Sequence, residues 1–185
     1  MRRLLAAAAA LLLLAAPAGA ANWTVDRAKS RLGFTAQWSG EAFVATFKNW
    51  TAQIAFDPKD LAHSKAIVSI DLGSEASDSS DNDDGLKGAE GFAINQFPTA
   101  KFETTGFTAK GGNAYVATGR LTLHGVTRAV TLPFTLTFAG SSAHMTGKAV
   151  VLRTDFGLGT GEWAAPTPIA HEVAISVDLT ATKAP

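Results

Sequence analysis

The sequence predicts an all-β protein, an extended antiparallel β-barrel of about eight strands with one short helix. Three observations lead to this fold class. Residues 119–138 contain two runs in which apolar and polar side chains alternate, separated by Gly125. Similar runs recur along the chain at a spacing of roughly ten residues, as in barrels and sandwiches. The chain also contains 11 Phe but only 1 Tyr, and phenylalanine fills an apolar interior without a polar atom to satisfy.

The central hairpin shows the alternation most clearly. Leu121 and Leu123 alternate with polar neighbours, which is the two-residue period of a half-buried strand. Gly125 then provides a turn. In the second strand, the apolar positions alternate with Thr and Pro, and they are Val130, Leu132, Phe134, Leu136 and Phe138. We therefore expect two paired strands that share one apolar face.

The remaining elements follow the same pattern on either side of this hairpin. Strands are predicted over 23–25, 32–38, 43–47, 50–56, 65–72, 100–109, 143–153 and 173–179. Residues 73–95 interrupt the pattern with an acidic, serine-rich loop, and a weak helical periodicity predicts a short helix in the loop around 83–95. A glycine- and proline-rich loop is predicted over 154–168.

The N-terminus has the features of a cleaved signal peptide. Arg2 and Arg3 precede an apolar run of Leu and Ala over 4–16, and an Ala-x-Ala cleavage site ends at Ala20. The run is shorter than the roughly 20 residues that a membrane span needs. We therefore expect residues 1–20 to be a signal peptide and 21–185 to be one exported domain.

Composition narrows the function classes. The chain has no Cys, which excludes disulfides, thiolate metal sites and a cysteine nucleophile. Removing Arg2 and Arg3 leaves 14 of the 16 basic residues against 16 acidic ones, a net charge of about −2 that gives no reason to expect a nucleic-acid partner.

No motif predicts catalysis or metal binding. His63, His124, His144 and His171 are scattered without the spacing of a metal site, and no Gly-x-Ser-x-Gly motif is present. The acidic stretch aligns poorly with a calcium loop, because Gly91 stands where a bidentate Glu is required. We therefore expect no catalytic or metal-binding residues. We also expect the carboxylates of that stretch to be solvated, namely those of Asp81, Asp83 and Asp84.

Strand alternation assigns a set of large apolar side chains to the interior. They either fill a solid core or line a cavity that holds one ligand, and the shortage of polar candidates favours a long apolar cavity. Leu123 is expected toward its deep end. The predicted ligand-binding residues are Phe34, Phe47, Phe56, Ile70, Phe102, Leu121, Leu123, Phe134, Leu136 and Phe156.

Five segments, in order, resemble motifs of the YceI-like family. Residues 26–34 are similar to its Asp-x-x-His-Ser-x-hydrophobic-x-Phe, with Lys29 in place of the histidine. The other four segments are 83–92, 96–102, 119–130 and 153–159, and the last reads Arg-Thr-Asp-Phe-Gly-Leu-Gly. The following 161–163, Gly-Glu-Trp, is similar to members associated with cytochrome b561-like membrane proteins.

The resemblance implies a lipocalin-like barrel in the periplasm that holds an isoprenoid lipid. The ligand would be a polyprenyl phosphate or an isoprenoid quinone, with no further cofactor and no enzymatic activity. One alternative is a non-enzymatic interaction module, with a filled barrel that docks on a membrane redox partner of cytochrome b561 type. A third option is an enzyme that acts on a quinone or lipid. The sequence leaves open whether the protein forms a homodimer.

Overall fold

The computed structural model describes residues 20–185, and the predicted signal peptide over 1–20 lies outside them except for its last residue. Within this part of the chain there are eleven β-strands and one α-helix, α1 (Ser80–Lys87). The strands are β1 (Asn22–Val25), β2 (Arg31–Trp38), β3 (Glu41–Phe47), β4 (Trp50–Ala55), β5 (Lys65–Asp71), β6 (Glu75–Ala76), β7 (Thr99–Gly111), β8 (Ala114–Leu123), β9 (Val126–Ala139), β10 (Ser142–Leu152) and β11 (Glu172–Lys183).

The strands form a closed antiparallel barrel, which confirms the predicted fold class. The sheet runs β1-β4-β5-β7-β8-β9-β10-β11, and pairing of β11 with β1 closes it into eight strands. β2 continues β1 after a short turn and pairs with the other half of β11. β3 precedes β4 in the same way and pairs with β2.

The connections alternate between two ends of the barrel. We call the upper end the one where β2 ends at Trp38 and β10 ends at Leu152. It carries the two long connections, 77–98 and 153–171, and two tight turns. One of these turns is His124–Gly125, in which both residues have positive φ (52° and 73°), as the predicted hairpin requires. The lower end carries the short turns after β7 and β9 and the 56–64 connection.

The helix lies earlier than the sequence suggested. It covers Ser80–Lys87 rather than residues 83–95, because Asp81 and Asp83 stand in its first turn, where acidic side chains interact favourably with the helix dipole. Gly88 ends it, and a series of turns follows to Phe97. We call 77–97 the cap segment.

The barrel wall has a seam in its upper half. β9 and β10 pair only from Ala139 with Ser142 to Phe134 with Gly147. Pro133 is the next residue of β9, and its nitrogen has no hydrogen to donate to a neighbouring strand. Above this level no pairing joins β9 to β10 in the described residues, and the turn Arg153–Phe156 packs beside β9 instead.

The buried apolar side chains form two clusters. The upper cluster includes Leu32, Phe34, Ile70 and Phe92, together with Leu72. Half of the residues in the lower cluster are aromatic, and the cluster consists of Phe56, Tyr115, Ala117, Phe134, Leu136 and Ala143.

Candidate functional site

The interior of the barrel holds two cavities, one above the other. The upper cavity has a volume of about 390 Å³, and the lower cavity has a volume of about 180 Å³. Both cavities are lined mostly by apolar side chains. Four residues line both cavities, and we call this set the waist: Leu32, Ile70, Leu121 and Ile175.

All ten residues predicted from the sequence lie on these cavities. The upper cavity alone contacts Phe34, Phe47, Leu123 and Phe156. The lower cavity alone contacts Phe56, Phe102, Phe134 and Leu136, and the waist contributes Ile70 and Leu121. Strand alternation explains the interior position of those that lie in strands, whereas Phe56 follows β4 and Phe156 lies in the Arg153–Phe156 turn. Their contact with a ligand stays a prediction. The position expected for Leu123 at the deep end is wrong, because β8 ends there at the upper end of the barrel.

Sequence reasoning missed the residues that complete the site. Ile175 and Leu32 belong to the waist, and the alternation of β11 and β2 could have identified them. The rim of the upper cavity includes polar residues that were not among the predicted ligand-binding residues, namely Gln37, Asp81, Asn82 and Glu90. The last three lie on the cap segment and are exposed, so the upper cavity reaches the surface there.

The cap segment covers one side of the upper cavity with apolar side chains. Leu86 of α1 packs against the upper cluster. Phe92 is buried and lies edge-on to Phe34, with ring centroids 6.1 Å apart, and at the same distance from Phe47. The end of the segment is fixed by Phe97, whose ring packs on His124 at 4.8 Å. The segment is therefore part of the cavity wall.

A buried arginine organises the other long connection. Arg153 is 6% exposed, and its guanidinium donates only to backbone carbonyls. Nε donates to Ala170, and Nη1 donates to Leu158 and Gly159 at 3.0 Å each. Nη2 donates to the carbonyls of Trp163, Ala165 and Ile169. Burial lowers the pKa of Arg153, but arginine stays protonated in proteins. Its charge therefore fixes the loop, and its donors are already in use.

The fixed loop places a second aromatic pair at the rim. Trp163 packs on Trp38 with ring centroids 5.4 Å apart, and both residues line the upper cavity. Trp38 is 43% exposed. The end of β2 also pairs with the loop, since the Ala170 amide donates to the Gln37 carbonyl. The rim thus combines two indole rings with a few polar side chains.

A buried carboxyl group lies beneath the cap segment. Glu75 is 2% exposed, and neither carboxylate oxygen has a hydrogen-bond partner. Burial raises the pKa of Glu75 to about 7, and the nearby Asp83 carboxylate adds to the rise. Lys87 and Lys48 face the same group and oppose the rise.

Asp83 is not the solvated side chain that the sequence suggested. It accepts hydrogen bonds from the Ser77 amide and hydroxyl. The Ser77 hydroxyl bond is the main cause that holds the pKa of Asp83 below its usual value. The correction has a physical reason, because the early start of α1 turns Asp83 back toward Ser77. Asp81 and Asp84 are exposed, as expected.

Two histidines of the described residues each contact one carboxylate. His63 pairs with Asp60 and His144 with Asp178, each at 2.8 Å and with exposed side chains. Over residues 20–185, no three His, Asp or Glu side chains come close enough together to hold a metal ion. Among the helices in that range, none is long and apolar enough to cross a membrane.

Comparison with known proteins identifies the fold and the family. The YceI-like domain family model matches residues 23–181. A UPF0312 protein of Serratia proteamaculans is 32% identical over 173 residues, which cover 89% of this chain and 88% of that protein. A UPF0312 protein of Photorhabdus laumondii is 37% identical over 121 residues, or 64% of this chain and 62% of that protein, so this match spans less than two thirds of the relative.

Solved structures agree with the sequence relatives. The crystal structure of Burkholderia cenocepacia BcnA superposes with a TM-score of 0.83 at 33% identity, covering 86% of this chain and all of that one. A polyisoprenoid binding domain from Saccharophagus degradans superposes with a TM-score of 0.69 at 14% identity, covering 89% of this chain and 99% of that one. The second likeness concerns the fold alone. With a family match that extends over nearly all of the described strands, the chain belongs to the YceI-like family.

Proposed function

We propose that the protein is a non-enzymatic periplasmic carrier that holds a long isoprenoid lipid inside its barrel. The observation that supports this most directly is the pair of apolar cavities stacked along the interior. Their volumes lie in or near the range of small-molecule sites. The name of the Saccharophagus degradans relative, a polyisoprenoid binding domain, supports the same ligand class.

The ligand would be held by the hydrophobic effect. We call the two stacked cavities together the bore. Each methylene of the ligand that is transferred from water into the bore contributes about 0.8 kcal/mol to binding. The polar end of the ligand would stay at the rim near Gln37 and Asn82, where hydrogen-bonding groups and water are available. The chain would extend downward past Phe34 toward Phe134.

Charges at the rim favour an uncharged head group, so an isoprenoid quinone is better supported than a polyprenyl phosphate. Among the described residues that line the upper cavity, Arg153 is the one basic side chain, and backbone carbonyls already occupy its donors. Asp81 and Glu90 line the same cavity. A phosphate would meet carboxylates there without a free cation to pair with.

Lipid extraction and native mass spectrometry of the purified protein test the proposal. We expect one isoprenoid lipid for each chain, released by organic solvent with its structure unchanged. Ala36→Trp, which places an indole in the upper cavity, should reduce the bound lipid. Thr35→Trp is the matched control, because Thr35 is the neighbouring residue on β2 and does not line either cavity.

A protein that carries no lipid and takes none up after delipidation would contradict the carrier hypothesis. The alternative of an interaction module that docks on a membrane redox partner of cytochrome b561 type would then be preferred. A lipid that is returned chemically altered would instead indicate an enzyme. Export is tested separately by sequencing the mature N-terminus, which we expect to follow Ala20.

A further inference from the structure

We propose that the waist, and Leu121 in particular, determines how chain length affects ligand affinity. The inference rests on the proposed function, because it concerns the same bore. It adds that the two cavities bind different parts of the ligand. The upper cavity would accept the head-proximal part of any ligand, while only a longer chain would pass the waist.

The position of the waist in the barrel supports this role. Its members come from β2, β5, β8 and β11, so they surround the bore rather than cover one side of it. Leu32 and Leu121 are each 6% exposed, and Ile70 is 9% exposed. Strand pairing fixes their backbones, for example Leu121 opposite Phe102 and Ile70 opposite Trp50. A chain that moves from the upper to the lower cavity must pass these side chains.

The two cavities differ in what they can bind. The polar rim belongs to the upper cavity, which has about twice the volume of the lower one. Thr104 is the one polar side chain among the described residues that line the lower cavity. An aromatic cluster lies at its far end, where Phe56 packs on Phe134 at 6.5 Å. The lower cavity therefore suits the tail of a ligand and does not suit a head group.

The consequence is a length dependence that one residue can remove. A short chain lies within the upper cavity and gains nothing from the lower one. A longer chain gains about fourfold in affinity for each further methylene that leaves water. A bulky side chain at the waist should cancel this gain and should therefore weaken long ligands more than short ones.

The experiment measures displacement of a fluorescent apolar probe from delipidated protein by farnesol, geranylgeraniol and solanesol. We expect wild-type affinity to rise along this series. Leu121→Trp should lose at least about tenfold more affinity for solanesol than for farnesol. Leu123→Trp is the matched control, because Leu123 lies on the same strand and face but lines the upper cavity alone. It should weaken all three alcohols.

Ile175→Phe provides a second waist variant at a position that is only half-buried, and it is used if Leu121→Trp does not fold. It should also flatten the length dependence. Equal losses on farnesol and solanesol in the waist variants would overturn the role of the waist while leaving lipid binding intact. Wild-type protein that binds none of the three alcohols would instead contradict the proposed function.

Discussion

At its lower end the barrel ends in short connections over an aromatic cluster, whereas at its upper end two long connections cover the bore. Phe56, Tyr115 and Phe134 pack on one another below. Above, hydrogen bonds of the Arg153 guanidinium fix one covering segment. Bonds from Ser77 to Asp83 fix the start of the other segment, and the buried Glu75 lies beneath it. The difference indicates that aromatic packing dominates at the lower end, while hydrogen bonding and buried charge contribute more at the upper end.

The largest expected effect comes from the aromatic cluster. Phe134 stacks on Tyr115 at 5.5 Å and contacts Phe107 at 6.3 Å, so Phe134→Ala should lower the free energy of unfolding by about 3–5 kcal/mol. Phe47→Ala, at a half-buried ring in the upper cavity, should cost about 1–2 kcal/mol. Urea denaturation of delipidated protein measures both. Equal losses would mean that the two ends are packed equally well.

Removing the buried guanidinium should be the next most costly change. Arg153→Ala leaves six backbone carbonyls without their donors, and we expect a loss of about 3 kcal/mol in the free energy of unfolding. Arg153→Lys should recover little, because an ammonium cannot reproduce the planar set of five donors. Arg120→Ala is the control at an exposed position. A loss for Arg153→Ala no larger than for this control would contradict the role of Arg153 in fixing the loop.

Stability should also depend on pH through Glu75. Its pKa is about 7 in the fold against 4.5 as the ordinary value, so the folded state keeps a proton that the unfolded state releases. The free energy of unfolding should therefore fall as pH rises from about 4.5 to about 7 and then level off. The difference between these two pKa values corresponds to a contribution on the order of 3 kcal/mol.

Glu75→Gln should flatten this pH dependence relative to wild type, and Glu41→Gln, at an exposed position, should leave it unchanged. Chemical denaturation at a series of pH values gives the comparison. An identical slope in wild type and Glu75→Gln would show that another group is responsible.

The smallest expected effects come from the three carboxylates of the cap segment, and they should differ between Asp83 and the other two. Asp81→Asn combined with Asp84→Asn should change the free energy of unfolding by less than about 0.5 kcal/mol, because both side chains are exposed. Asp83→Asn should cost about 1 kcal/mol through its weakened bonds to Ser77. Thermal melting detects the difference, and equally small shifts in both variants would restore the view of a fully solvated loop.

The barrel could be predicted from the sequence because each strand carries its own evidence. Alternation in β8, β9 and β11 places one side chain in two toward the interior, and this local rule needs no knowledge of the neighbouring strands. The waist could not be predicted in this way, because it depends on how distant strands pair. Leu32 and Ile175 lie far apart in the chain, and only the pairing of β2 with β11 and the closure of the barrel bring them to the same part of the interior as Ile70.

The polar residues of the site were harder to predict from the sequence. Glu75 belongs to an acidic stretch and looks like a surface residue, but β6 pairs it opposite Phe47 and covers it. Arg153 stands in a recognisable motif, yet its partners are carbonyl groups, which every residue has. Loop conformation alone determines which of them point at the guanidinium.

The seam between β9 and β10 has a consequence for local motion. Where the ladder ends at Phe134 and Gly147, the backbone groups on the facing edges lack the reciprocal bonds that hold the lower half together. Local opening there breaks fewer hydrogen bonds than opening elsewhere in the wall, so its amide hydrogens should exchange with solvent well before those of the β10–β11 ladder. The side chains beside the seam include Val130 and Ala149, which line the lower cavity. Local opening of β9 from β10 would therefore expose the tail of a bound ligand to water without global unfolding.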